Sequence, residues 1–188
     1  MRSIEDSLAI IFGFFREQVP DSARAIRAGA SDAALKSLKR HLPAACDELE
    51  VLYRVADGLK DQADFVNGGT LLPIRSAIAL YKSHIENIDP DDRRRRRKGD
   101  DPRIQTDAHW RRGWWPITDA DGDHLVLDLD PAAAGHTGQV ISFENNGQRP
   151  QIVAASSITG WLDSYAQHVV DGQVQLDKGV IWVPSFQG

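Results

Sequence analysis

Three observations place this chain in the α+β class. Apolar residues recur at helical spacing from Ile4 to Ile85. From Trp114 to Ala154 they come in short runs separated by turn-forming residues. A last helical stripe then begins after Ser156 or Ser157. The two periodicities, near 3.6 and near 2, occupy separate stretches, as expected of a sheet with segregated helices packed against it.

Ile4, Leu8, Ile11, Phe12, Phe15 and Val19 form one stripe, interrupted by Pro20 and Asp21. A stripe this apolar is expected to face the protein's own core rather than a partner. Ser31 is placed to N-cap a helix carrying Leu35, Leu38 and Leu42, because its hydroxyl can accept from a free first-turn amide. Pro43 sits where a first-turn proline would open the next helix, whose buried face is Leu49, Leu52, Tyr53 and Ala56. Gly58 can end that helix in a left-handed conformation. Gly68-Gly69 marks a turn before the short strand Thr70-Leu71-Leu72. Pro73 leads into a helix holding Ile74, Ile78, Leu80, Tyr81 and Ile85.

The block Arg93-Arg94-Arg95-Arg96-Arg97-Lys98 invites a nucleic-acid reading. Its flanks argue for a solvated, charge-balanced helical insert or loop. Asp89 can cap, Pro90 can occupy the first helical position, Asp91 and Asp92 suit the positive helix end, and Gly99 can stop the helix. Five aspartates in the segment nearly neutralise its six cations.

Trp114 to Thr118 reads as a strand and His124 to Leu129 as its partner, with Asp121-Gly122 a hairpin-turn signal between them. Alternation sends Leu125, Leu127 and Leu129 to one face and Val126 and Asp128 to the other. It also separates Trp114 from Trp115. Trp115 is expected in the core; Trp114 is either covered as well or an exposed aromatic anchor for a partner. Pro131 ends the strand. Gly138 to Phe143 supplies the next strand, Asn145-Asn146-Gly147 a turn, and Ile152-Val153-Ala154 another strand. Ser156 or Ser157 caps a helix carrying Ile158, Trp161, Leu162, Tyr165 and Val169. In the tail, Val174, Leu176, Val180 and Trp182 around Lys178-Gly179 read as a terminal hairpin.

At 188 residues the chain can bury one substantial core and carry a small appendage. Its net charge of −5 disfavours non-specific nucleic-acid binding and suits a cationic protein partner. The single cysteine, Cys46, excludes an intramolecular disulfide and fits a reducing cytosol. Glu5 and Asp6 fall where the apolar run of a signal peptide would begin, and no apolar stretch approaches the ~20 residues that span a bilayer. The expectation is a soluble, cytoplasmic protein with no membrane partner.

No catalytic constellation is evident. Asp119, Asp121 and Asp123 alternate like the first ligands of a calcium loop, but His124 stands where that loop needs glycine and Asp130 where it needs glutamate. The spacings of His109, His124 and His136 match no compact zinc pattern. Ser156 and Ser157 lack a nucleophile elbow, and no phosphate loop is present. Cys46, near a helix start, reads as a small packing residue rather than an activated thiol. The expectation is therefore no metal, no cofactor and no enzymatic activity.

Several segments, in this order and spacing, resemble the SUKH superfamily, the cell-wall-assembly-regulator-like (Smi/Knr) family. They are Leu42-Pro43 through Asp57-Gly58, Trp115-Pro116-Ile117, Gly122-Asp123, Leu127-Asp128-Leu129-Asp130-Pro131, Gly138-Gln139-Val140-Ile141 and Trp161-Leu162. The resemblance runs from about Leu42 to about Val170. It implies an antiparallel-dominated twisted sheet packed against helices, and binding rather than catalysis. Members of the bacterial type are immunity proteins that neutralise polymorphic toxins, often nucleases or deaminases; fungal relatives act as signalling hubs. On that basis the chain divides into a helical extension (1–30), a SUKH-like domain (31–170) and a tail (171–188) that packs on it. The expected partner is a cognate toxin whose active site is occluded, with an intracellular scaffold role as the alternative. The expected partner-binding residues are Asp119, Asp121, Asp123, Asp130 and Trp114.

Overall fold

A computed structural model describes residues 1–60, 62–88, 99–145 and 149–184. The Arg93–Lys98 block and the Asn146-Gly147 part of the second turn lie outside the described residues.

The chain opens with helix α1 (Ile4–Gln18), capped by the Ser3 hydroxyl, which accepts from the Asp6 amide. The short α2 (Pro20–Ala25) starts on Pro20. Helix α3 (Asp32–His41) takes the Ser31 cap, as its sequence predicts. Helix α4 spans Asp47–Val55, so it starts later than Pro43. Residues 42–46 form a bend, and Asp47, Glu48 and Glu50 supply the negative charge that favours the helix N-terminus. Strand β1 (Thr70–Leu71) and helix α5 (Ile74–Glu86) follow. The Asp57 carboxylate accepts from the Ile74 amide at 2.8 Å and so serves as a cap for α5 from outside it.

Gly58 has a different role from the one expected. The last residue of α4 is Val55, and Gly58 lies beyond its cap, at φ +71°. A Cβ there would sit 2.6 Å from the Leu71 oxygen and closer still to the Pro73 nitrogen. The glycine lets two chain segments touch backbone to backbone.

The main sheet has the order β2–β4–β5–β6 and is antiparallel throughout. Its strands are β2 (Trp114–Pro116), β4 (His124–Asp128), β5 (Gln139–Phe143) and β6 (Val153–Ala155). Strand β3 (Thr118–Asp119) pairs with β1 instead. The expected continuous strand from Trp114 to Thr118 therefore changes partner at Ile117. Pro116 has no amide to donate, while Ile117 donates to the Leu125 oxygen and accepts from the Leu72 amide. Helix α6 (Ile158–Val170) is capped by Ser157, and Glu48 of α4 accepts from its Ile158 amide at 3.1 Å. Strands β7 (Gln175–Asp177) and β8 (Val180–Trp182) form the expected terminal hairpin.

The sheet is buried on both faces. One face carries Trp115, Leu127 and Val140 into the main core, shared with α1, α4 and α6. The other carries Trp114, Val126 and Ile141 into a smaller cluster closed by Ile85, Ile104, Trp110 and Phe143. The segment that closes this second face is pinned near Asp101 and Arg103. The Asp101 amide donates to the Gln151 oxygen, and the Gln139 side chain bridges the Arg103 oxygen and the buried Asp128 carboxylate.

Candidate functional site

The β3–β4 connection is a two-residue turn. Asp121 and Gly122 both have positive φ (52° and 96°), and Ala120 and Asp123 exchange backbone hydrogen bonds across it. This is the type I′ geometry that Asp-Gly favours. Asp119 accepts from the Gly122 amide at 3.1 Å, and Asp123 accepts from the Asn145 amide at 2.9 Å. These two carboxylates shape the turn as well as charging it, and Asp121 stands exposed at its tip.

Beside the turn lies a groove of about 400 Å³. Val66, Leu125, Phe143 and Ile152 contribute its apolar surface, while Asp123 and Trp182 are among its border residues. Arg149, also lining the groove, is engaged by Glu144, with Nε 3.1 Å from Oε1. The charge left at this border is therefore acidic.

His124, one of the residues that line the groove, is buried, its side chain only 1% exposed. Its Nδ1 lies 3.1 Å from the Thr118 oxygen and 3.3 Å from Asp119 Oδ1. Its Nε2 faces His84 Nε2 at 3.3 Å. The His84 ring is stacked on Trp110, with centroids 3.8 Å apart and planes 7° from parallel. Burial, then repulsion from His124 and His109, pushes the His84 pKa down to about 4. Burial also lowers that of His124, against the pull of Asp119. Both imidazoles are neutral at pH 7.

A family model, SMI1/KNR4 (SUKH-1), matches residues 32–164. The chain belongs to the SMI1/KNR4 family. No curated protein matches it. The SUKH-1 match covers α3 through most of α6, and membership is consistent with an immunity-type protein. Two segments outside the matched residues nevertheless complete this SUKH-1 core. Helix α1 contributes Leu8, Ile11 and Phe15, and the tail hairpin contributes Ile181. The tail is clipped in place by Asp64, which accepts from the Ile181 amide, and by Asn67, which accepts from the Val183 amide at 2.8 Å.

The SUKH-1 fold separates the five expected partner-binding residues. Asp119, Asp121 and Asp123 cluster at one turn. Asp130 lies past the other end of β4, seven residues and roughly 20 Å of extended chain from Asp123. There it is paired with Arg111 at 2.7 Å. Trp114 requires a correction: it is 0% exposed and covered by the second cluster, so the exposed-anchor reading fails for the free protein. The cover comes from Ile85 at the end of α5 and from Ile104 and Trp110, two residues that lie on no strand or helix pattern that would announce it.

Among the expected histidines, His124 meets His84, which sequence spacing did not single out. His109 flanks the pair through Phe143, with ring centroids 5.2 Å apart, and His136 is exposed in the β4–β5 connection. Burial pushes the Cys46 thiol pKa up, opposite to the helix-end effect that would activate it. Among the described residues, no group of three or more His, Cys, Asp or Glu could hold one metal ion, and no helix is long and apolar enough to cross a membrane.

Proposed function

We propose that this protein is a non-catalytic, cytoplasmic immunity protein that binds a cognate polymorphic toxin and occludes its active site. The observation that carries this reading is the apolar groove bordered by the acidic β3–β4 turn. A concave apolar surface can seat a projecting side chain, and an acidic border steers a cationic partner and rejects anionic ones. A nuclease, whose substrate cleft must be basic, has the complementary charge. Family membership supports the same class of activity. Asp119, Asp121 and Asp123 border the proposed contact; Asp130, already paired with Arg111, contributes at most to its periphery.

The test is co-expression with the product of the adjacent gene, scoring growth rescue and co-purification. Rescue with a stable complex is the expected result. The Asp121→Asn/Asp123→Asn variant should then associate more slowly, because border charges act mainly on the on-rate; asparagine tolerates the left-handed turn position. A demonstrably toxic neighbour that is neither bound nor neutralised would refute the immunity reading. Unchanged association by the double variant would refute the assignment of the surface.

A further inference from the structure

We propose that the groove beside the β3–β4 turn seats one arginine side chain of a protein partner, and that this arginine takes Glu144 over from Arg149. The proposal rests on the reading that a partner docks at this groove, and it names the group that enters. In the β4–β5 ladder His124 lies opposite Phe143 and Leu125 opposite Ser142. One step further along the same register Asp123 faces Glu144, and the Asn145 amide donates to Asp123 Oδ1 at 2.9 Å across the gap. Residues two apart on a strand share a face, and Asp123, Leu125, Ser142 and Glu144 all line the groove. Directly opposed side chains of an antiparallel pair start about 4.5–5.5 Å apart at Cβ, and like charges there repel. A cation shared by the two carboxylates relieves that repulsion.

Arg149 serves only one of them. Its Nε lies 3.1 Å from Glu144 Oε1, and among the described residues no ion pair joins it to Asp123. Asp123 Oδ2 accepts no hydrogen bond from the described residues. The Arg149 side chain is 72% exposed, against 12% for Glu144. An ion pair whose cation stands mostly in water adds little stability, so exchanging that cation costs little. Arginine suits the seat better than lysine. Its planar guanidinium carries five donors, enough for two carboxylates at once, and it is less strongly hydrated than an ammonium group. Its methylene stem matches the apolar surface of Val66, Leu125 and Ile152, and Trp182 supplies an aromatic ring of the kind on which a guanidinium stacks.

The experiment is an NMR titration of the full chain with the blocked tripeptide acetyl-Gly-Arg-Gly-amide and with its citrulline counterpart, which has the same shape without the charge. A saturable shift centred on the Asp123 and Glu144 amides is expected, with arginine at least about fivefold tighter than citrulline. Arg149→Gln should tighten arginine binding at least about threefold by removing the resident competitor, and Glu144→Gln should weaken it. Arg54→Gln makes the same change of net charge on α4, outside the groove lining, and should leave binding unchanged. Equal binding of the two peptides, no saturable shift, or shifts centred elsewhere overturns the proposal. So does an Arg149→Gln protein no tighter than Arg54→Gln. No toxin enters the titration. A chain that neutralises a toxin yet shows no arginine preference loses this seat and keeps its immunity role. A chain that seats arginine yet neutralises nothing loses the immunity role and keeps the seat.

Discussion

Asp64 makes the tail hairpin a source of measurable pH dependence. Burial raises its carboxyl pKa from 3.8 to about 6, and the amides of Ile181, Gly68 and Val66 pull it only partway back. Between those two values the folded chain holds a proton that the unfolded chain has released, so stability falls as pH rises through this window and is level above about 6.5. Integrating proton binding with these two pKa values gives about 2 kcal/mol of additional stability at pH 4 relative to pH 7. Other carboxyls act in the opposite direction. Asp101, for example, is held down to about 2 by Arg103. The effect must therefore be read as a difference between the unaltered chain and Asp64→Asn. Urea unfolding followed by circular dichroism at pH 4, 5, 6 and 7 gives that difference. The unaltered chain should gain on the variant by about 2 kcal/mol as pH falls from 7 to 4. A difference that stays constant within about 0.5 kcal/mol, the scatter expected of an uninvolved site, would refute the reasoning.

Three further outcomes follow from the packing. Gly58→Ala forces a left-handed non-glycine residue, costing roughly 1–2 kcal/mol, and drives its Cβ into the backbone around Leu71 and Pro73. Its unfolding midpoint should fall by more than that strain alone predicts; a midpoint equal to that of the unaltered chain would mean the two segments are free to separate. Trp114→Ala should destabilise the fold by about 3–5 kcal/mol, and a loss below about 1 kcal/mol in chemical unfolding would show that the second cluster collapses around the gap. The Cys46 thiol should react with a chromogenic disulfide at pH 8 more slowly in the folded protein than in urea; equal rates would contradict its raised pKa.

What the chain disclosed in advance was local. The Asp121-Gly122 turn needs two positive φ angles, and few residue pairs supply them. The Ser31 and Ser157 caps each act within three residues. Leu125 and Leu127 declare their face because strand alternation has a strict period of two. Sequence and structure part where a long-range contact overrides a local signal. Pro43 is a good first-turn residue, yet α4 starts at Asp47. Gly58 looked like a helix terminator and instead accommodates the chain near Pro73. The exposure of Trp114 is not legible in the sequence because its cover arrives from Ile85, Ile104 and Trp110, which carry no shared periodicity. His84 and His124 are 40 residues apart on a helix and a strand, and no spacing rule joins them. Of the candidate surface, the acidic turn was legible, whereas the groove beside it was not, because the groove is assembled from strands, loops and the tail hairpin.

That groove border comes with its own optical reporter. Trp114, Trp115 and Trp161 are sealed at 0% exposure and Trp110 at 3%, whereas Trp182, the fifth and last tryptophan, is partly exposed where the hairpin lines the groove. A water-soluble quencher such as iodide or acrylamide therefore reaches one indole and spares four. A ligand seated in the groove would shield Trp182 from collisional quenching. Loss of the quenchable fraction of the native emission would then register occupancy without a label or an engineered probe.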